Sequence, residues 1–175
     1  YRKLVTCKID WSNIDLFWGD ERYVSHKSKN SNYKLAYDTF IKKIKINKKN
    51  LFPINTNIKN FLKSSKSYSD LIKKYFKKKK ISFDYFLLGM GDDGHIASIF
   101  PDSAELSKKF IVRPVYRNDF KRITLSLNVI NNSKKIVLWL NSKYKSKKFL
   151  KLRKKRKKIP INKLNNKKTI VYKIS

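Results

Sequence analysis

Three of the chain's four glycines and one of its two histidines fall within "GMGDDGH", residues 89–95. Glycine lets a backbone turn sharply and approach a ligand closely, and such a turn can aim amide N–H groups at an anion. Asp93, two residues before His95, is placed to orient the imidazole or to bind a sugar hydroxyl. A second cluster, Gly19-Asp20-Glu21-Arg22, again puts glycine ahead of charge. Glycines alone would mean a plain tight turn. The acid and histidine beside them point to a site.

Both clusters follow apolar runs. "IDLFW" reads as a short buried strand, Ile14 to Trp18, ending at Gly19 and delivering Asp20, Glu21 and Arg22 to a loop. "FDYFLLGMG" is near-continuously apolar, the pattern of a central parallel strand covered on both faces. Ligands of open α/β sheets bind at the carboxyl ends of such strands, where both clusters lie.

Between them the spacing turns helical. Ser31 and Asn32 are candidate N-caps for a helix marked by Tyr33, Ala36, Tyr37, Phe40, Ile41 and Ile44. After Pro53, apolar positions from Ile58 to Phe76 mark one or two more helices, closed by a lysine run at 77–80 that suits a helix C-terminus. Downstream, "FIVRPVY", the alternating "RITLSLNVI", "KIVLWLN" and "KTIVYKI" read as strands. Residues 143–158 hold eleven Lys or Arg and read as a basic surface helix. Strands alternating with helices predict an α/β domain with a mostly parallel sheet flanked by helices. At 175 residues, one domain spanning 1–175 is expected.

Lys and Arg number 44 against 12 Asp and Glu, a formal charge of +32. Lysines spread through every segment fit compositional drift better than a nucleic-acid face, which would gather them with interleaved aromatics. Nucleic acid is therefore disfavoured as a partner. Cys7 is the only cysteine, which excludes an intramolecular disulfide and a cysteine-based zinc site and fits a reducing compartment. No apolar run reaches the roughly 20 residues of a membrane span. No targeting signal is visible, so a cytoplasmic location is expected.

"FWGDERYV", "FDYFLLGMGDDGHIASIFP" and "RITLSLNVI", in that order, resemble the 6-phosphogluconolactonase family, from about Trp11 to Thr169. The related glucosamine-6-phosphate deaminases share the fold and a weaker form of the motif. The resemblance implies a Rossmann-like α/β domain and cofactor-free, metal-free hydrolysis of a phosphorylated sugar lactone. His95 matches the family's catalytic histidine, and Asp93 the motif aspartate that orients it or binds a sugar hydroxyl. A neutral imidazole can take a proton from water as the water attacks a carbonyl, then return it to the leaving oxygen. Asp20 and Arg22 match the "DER" acid and base, with Gly91 and Gly94 lining the substrate. Arg122 opens the family's "R-[VI]-T-L" strand and Lys145 falls at its G-x-x-K lysine. Both are expected phosphate ligands. Glu21 is expected to be structural and His26 a solvated bystander.

The sequence departs from the family pattern at Ile96, Asn128, Ser142 and Tyr144. A deaminase would want an acid soon after His95, whereas Glu105 lies ten residues on. The family begins with a βα unit bearing a serine- and glycine-rich loop that nothing here matches. A missing N-terminal segment or a fused partner domain is therefore expected to complete the sheet.

Overall fold

In the computed structural model the described residues are 2–77, 79–101, 110–154 and 159–173. Strands and helices alternate along the chain, and the strand pairs with assigned direction are parallel. The α/β expectation holds. The chain divides into two compact units: Tyr1–Tyr68 with Pro114–Ile123, and Ser69–Arg113 with Thr124–Ser175.

In the first unit, β1 (Leu16–Phe17) pairs in parallel with β3 (Leu51–Phe52), and the rings of Phe17 and Phe52 stack at 4.5 Å. "DER" is not a loop. It forms β2 (Asp20–Arg22), whose central Glu21 is buried. Tyr23 N–H then donates to the Lys121 carbonyl at 2.8 Å, beside β6 (Arg122–Leu125), which lies between β2 and β5 (Val112–Val115). Helix α1 (Asn32–Thr39) starts at the expected cap: Ser31 Oγ accepts from Lys34 N–H at 3.1 Å. It ends earlier than the apolar spacing suggests, and Ile41–Lys43 tightens into a 3-10 turn. Helix α2 (Phe61–Tyr75) is one helix. Within the first unit its Tyr68 hydroxyl reaches the Trp18 backbone, taking its N–H at 3.0 Å and donating to its carbonyl at 3.0 Å.

The second unit is built on a parallel sheet in the order β4 (Tyr85–Leu88), β7 (Lys135–Leu140), β8 (Thr169–Lys173). Phe86, Leu88, Ile136, Leu138 and Leu140 are buried on one face. Helix α4 (Lys143–Arg153) packs against β7 and buries Phe149 and Leu152. Residues 155–158 of the expected basic helix lie outside the described residues.

Two strand expectations change. "RITLSLNVI" stays extended only to Leu125, because Ser126 caps α3 (Leu127–Asn132) by accepting from Val129 N–H at 3.3 Å. A side-chain acceptor at that position offers the backbone a helix start in place of a ladder. And β4 is an outer strand of its three-stranded sheet, not a central one: Phe86 and Leu88 are buried while Tyr85 and Leu87 are exposed.

Candidate active site

The glycine-rich stretch leaves the carboxyl end of β4 as a closed turn. Gly91 N–H donates to the His95 carbonyl at 2.9 Å, and Gly94 N–H donates to the Gly91 carbonyl at 3.1 Å. Both amides are engaged inside the turn. The glycines are needed for steric reasons. A Cβ on Gly91 would lie 2.1 Å from the Cε1 and Nδ1 atoms of His95, so the imidazole rests on the bare backbone there. Gly94 has φ +87, the left-handed region, and a Cβ on it would meet Ile159 Cγ2 at 2.4 Å. Gly89 has nothing near its missing side chain.

Asp93 holds His95 twice. Its Oδ1 accepts from the His95 backbone N–H at 3.0 Å and lies 2.7 Å from Nδ1. A carboxylate can only accept, so Nδ1 carries a proton, and in the neutral ring Nε2 presents its lone pair. The ring also lies against Phe100, with centroids 4.5 Å apart. Turn, acid and phenyl ring together fix the imidazole on three sides. His95 itself is part-exposed.

Asp92 takes a different partner from Asp93. It pairs with Lys145 Nζ. The lysine's ammonium holds the Asp92 carboxyl below its ordinary range, chiefly through that hydrogen bond. Ser142, where the family has a glycine, caps α4 by accepting from Lys145 N–H at 3.1 Å, so Lys145 sits in the helix's first turn. The structure thus brings His95, Asp93, Asp92 and Lys145 together in the second unit, with Gly91 backing the His95 ring and Gly94 facing Ile159 instead.

The first unit holds the other expected residues in a different state. Glu21 is 1% exposed, and its two oxygens accept from Arg22 N–H (2.8 Å), Asn32 N–H (2.7 Å), Ser31 Oγ–H (3.0 Å) and Tyr33 N–H (2.7 Å). Three of these donors belong to the start of α1, so Glu21 ties β2 to the helix. Burial pushes its carboxyl above the ordinary range, opposed by those four bonds. Arg22 Nη1 donates to the Asn30 carbonyl at 3.1 Å and to Asn32 Oδ1 at 2.9 Å. Asn32 in turn donates to the Asp20 carbonyl and carboxylate at 3.0 and 3.2 Å. Arg122 is buried and pairs with Asp119. His26 is no bystander: it lies 2.9 Å from the Ile54 carbonyl through Nε2 and stacks on Tyr33 at 4.5 Å.

Two contributors to the His95 turn escaped sequence reasoning. Phe100 was part of the quoted motif but carried no role, since a phenylalanine after a turn reads as core. Ala97 adopts φ +49, a left-handed conformation uncommon for a residue with a Cβ. It sits inside a tight reversal closed by Ile96 and Ile99, which exchange backbone hydrogen bonds at 3.3 and 2.9 Å. No residue type announces that conformation. Among the described residues, no three of His, Cys, Asp and Glu gather where a metal ion could be held, and no helix is long and apolar enough to cross a membrane.

A parallel α/β scaffold with a histidine turn at a strand's carboxyl end defines a class of small-molecule sites rather than a single protein. Residues 1–172 match the glucosamine-6-phosphate isomerase/6-phosphogluconolactonase family, and the chain belongs to it. Similar proteins include a probable 6-phosphogluconolactonase 2 of Arabidopsis thaliana, 35% identical over 139 residues, which are 70% of this chain and 54% of that one. The 6-phosphogluconolactonase of Synechocystis is 31% identical over 141 residues, 78% of this chain and 59% of that one. The chain thus spans about half the length of the curated relatives it matches. The crystal structure of 6-phosphogluconolactonase from Thermotoga maritima superposes with a TM-score of 0.84 at 29% identity, covering 98% of this chain and 77% of that one. A monomeric glucosamine-6-phosphate deaminase shares the fold, with a TM-score of 0.75 at 21% identity.

Proposed function

We propose that this chain carries the hydrolytic centre of a 6-phosphogluconolactonase, opening 6-phospho-D-glucono-1,5-lactone to 6-phospho-D-gluconate. The observation that carries the reading is the His95–Asp93 pair at 2.7 Å, which leaves Nε2 as a proton acceptor. Nε2 takes a proton from water as the water oxygen bonds to the lactone carbonyl carbon. The tetrahedral intermediate collapses, the bond to the ring oxygen breaks, and the imidazolium returns the proton to that oxygen. Water is consumed and a hydroxy acid is released, with no cofactor in the balance. Asp93 is a positioning residue that also stabilises the imidazolium.

In this reading Lys145, Arg22 and Arg122 supply charge for the phosphate or carbonyl end, and Asp20 binds a sugar hydroxyl. Lys145 is paired with Asp92, so an arriving phosphate takes the lysine over from that carboxylate. The reaction suits a cytoplasmic enzyme of the pentose phosphate pathway. A deaminase is the nearest alternative. Its extra acid would fall soon after His95, whereas Glu105 lies ten residues on, outside the described residues, and no observation on the site favours it.

The test is His95→Asn. Hydrolysis of the phosphorylated lactone is expected to fall by on the order of 10²–10⁴-fold in kcat with thermal melting unchanged. An unaltered rate above spontaneous hydrolysis overturns the reading. Turnover of glucosamine 6-phosphate by the unsubstituted chain, with none on the lactone, would move the assignment to the deaminase.

A further inference from the structure

Residues remote in sequence press on the turn that carries His95. Gly94 is the one residue between Asp93 and His95, and the place where its side chain would stand is taken. Ile159 Cγ2 lies 2.4 Å from the position of the missing Cβ, Leu152 Cδ1 3.2 Å and Ile161 Cγ2 3.5 Å. All three residues are buried. The backbone is tied at the same point, since Ile161 N–H donates to the Gly94 carbonyl at 3.2 Å. Local sequence builds this contact. Pro160 opens a 3-10 turn, Pro160–Lys163, and the residue before a proline is kept extended, as Ile159 is at φ −92 and ψ 127. Asn162 ties that turn to α4: its Nδ2 donates to the Leu152 carbonyl at 3.0 Å, and its N–H donates to the Ile159 carbonyl at 2.9 Å.

Helix α4 therefore meets the His95 turn twice, through Lys145 with Asp92 and through Leu152 against Gly94. Seven positions make two helical turns, which puts both side chains on one face of the helix. The two contacts differ in kind. The first is ionic and, in the lactonase reading, is given up to the arriving phosphate. The second is apolar and buried, so it persists when the first opens. We propose that Ile159 is a positioning residue for His95. Its Cγ2 methyl, backed by Leu152 and Ile161, seats Gly94 and keeps Asp93 and His95 in register while Lys145 is engaged by substrate. The role rests on the lactonase reading for its catalytic consequence. A shift at Gly94 moves both partners of the 2.7 Å contact between Asp93 Oδ1 and His95 Nδ1, and misplacing a catalytic group by about an ångström costs on the order of 100-fold in rate.

Two mild core substitutions separate positioning from stability. Ile159→Val keeps Cγ2 and loses only the terminal methyl. Ile159→Leu keeps the volume but takes the methyl off the β-carbon. In Ile159→Leu, kcat on the phosphorylated lactone should fall by about tenfold or more with KM little changed. Its His95 ring resonances should also shift in the substrate-free protein. In Ile159→Val both readouts should stay close to those of the unsubstituted chain. His26 is the other histidine, and His95→Asn assigns the signals. A merely structural Ile159 would lower melting in both variants and leave the His95 signals alone. Leu152→Met, also close to constant in volume, repeats the test on the second contact where Ile159→Leu does not melt cooperatively. Unchanged His95 resonances in the folded variant overturn the proposal, and so does an Ile159→Val protein that shifts them as far as Ile159→Leu. The resonances need no substrate. Shifted signals in a chain that hydrolyses no lactone would therefore support the positioning and sink the lactonase reading alone.

Discussion

The turn after β4 and strand β2 begin from similar sequence, glycine followed by charged residues, and they end in opposite states. At the turn, Asp93 binds one ring nitrogen of His95, and the geometry leaves the other with a lone pair to offer. At β2, Glu21 is buried under four donors and Arg22 is bonded to Asn30 and Asn32. One stretch fixes the orientation of a part-exposed imidazole. The other ties a strand to a helix. The difference arises from burial: a carboxylate taken out of water needs its lone pairs filled, whereas a part-exposed imidazole needs only its orientation set.

The contrast can be broken at either end. The largest effect after loss of His95 itself is expected from Gly91→Ala. The new methyl would meet the imidazole at 2.1 Å, so the ring must rotate off Asp93. Lactonase kcat should fall by about 100-fold, the scale for displacing a catalytic group by an ångström, with little change in melting. The His95 ring resonances should shift in the substrate-free protein. If kcat is retained, the bare backbone at Gly91 does not set the ring's position.

Glu21→Gln should show the reverse, a stability loss with the His95 ring resonances unchanged. A glutamine amide turns donors toward a cage of donors and leaves at least one N–H, such as that of Tyr33, unmatched, costing about 1–3 kcal/mol. The effect also depends on pH. Burial raises the Glu21 carboxyl above its unfolded value, so the fold favours the protonated form. Its contribution is fully present below the unfolded value and is lost as pH rises through the folded one. Denaturant unfolding of both proteins across that range should show the advantage over the glutamine variant shrinking as pH rises. A difference that grows as pH rises would mean that the four donors, not burial, set the carboxyl.

The smallest expected effect tests whether the first unit also takes part in binding. Arg122→Met should raise KM for the phosphorylated lactone by roughly tenfold, the worth of one charge-assisted hydrogen bond of about 1.5 kcal/mol. Its partner Asp119 is about half exposed and can be left to water. KM for the unphosphorylated lactone should hardly change. Equal losses on both would make the Arg122–Asp119 pair a structural one.

Much of this was legible from residue order. The run into Gly89-Met90-Gly91, the aspartate before His95 and the Ser31 cap were all readable, because each depends on neighbours a few positions away. The end of the strand at Leu125 and the helix that follows were not read, although their cause, Ser126, is local. An alternating apolar pattern continued through it, and period outweighed the cap.

What the amino-acid order alone determined is the alternation of strands and helices, the family, and a histidine held by an aspartate two residues away. These follow from local chemistry: spacing, capping and turn-forming glycine. Only the tertiary structure decided that Gly91 is the surface on which His95 rests, that Lys145 meets Asp92 across a separation of 53 positions, and that Glu21, expected to be structural, anchors β2 to the start of α1. It also decided that, among the described residues, Tyr85, Leu87, Trp139, Ile170 and Tyr172 are exposed on one face of the β4-β7-β8 sheet. A run such as "YFLL" is apolar on both sides whichever face is covered, and which face finds a partner depends on segments remote in sequence.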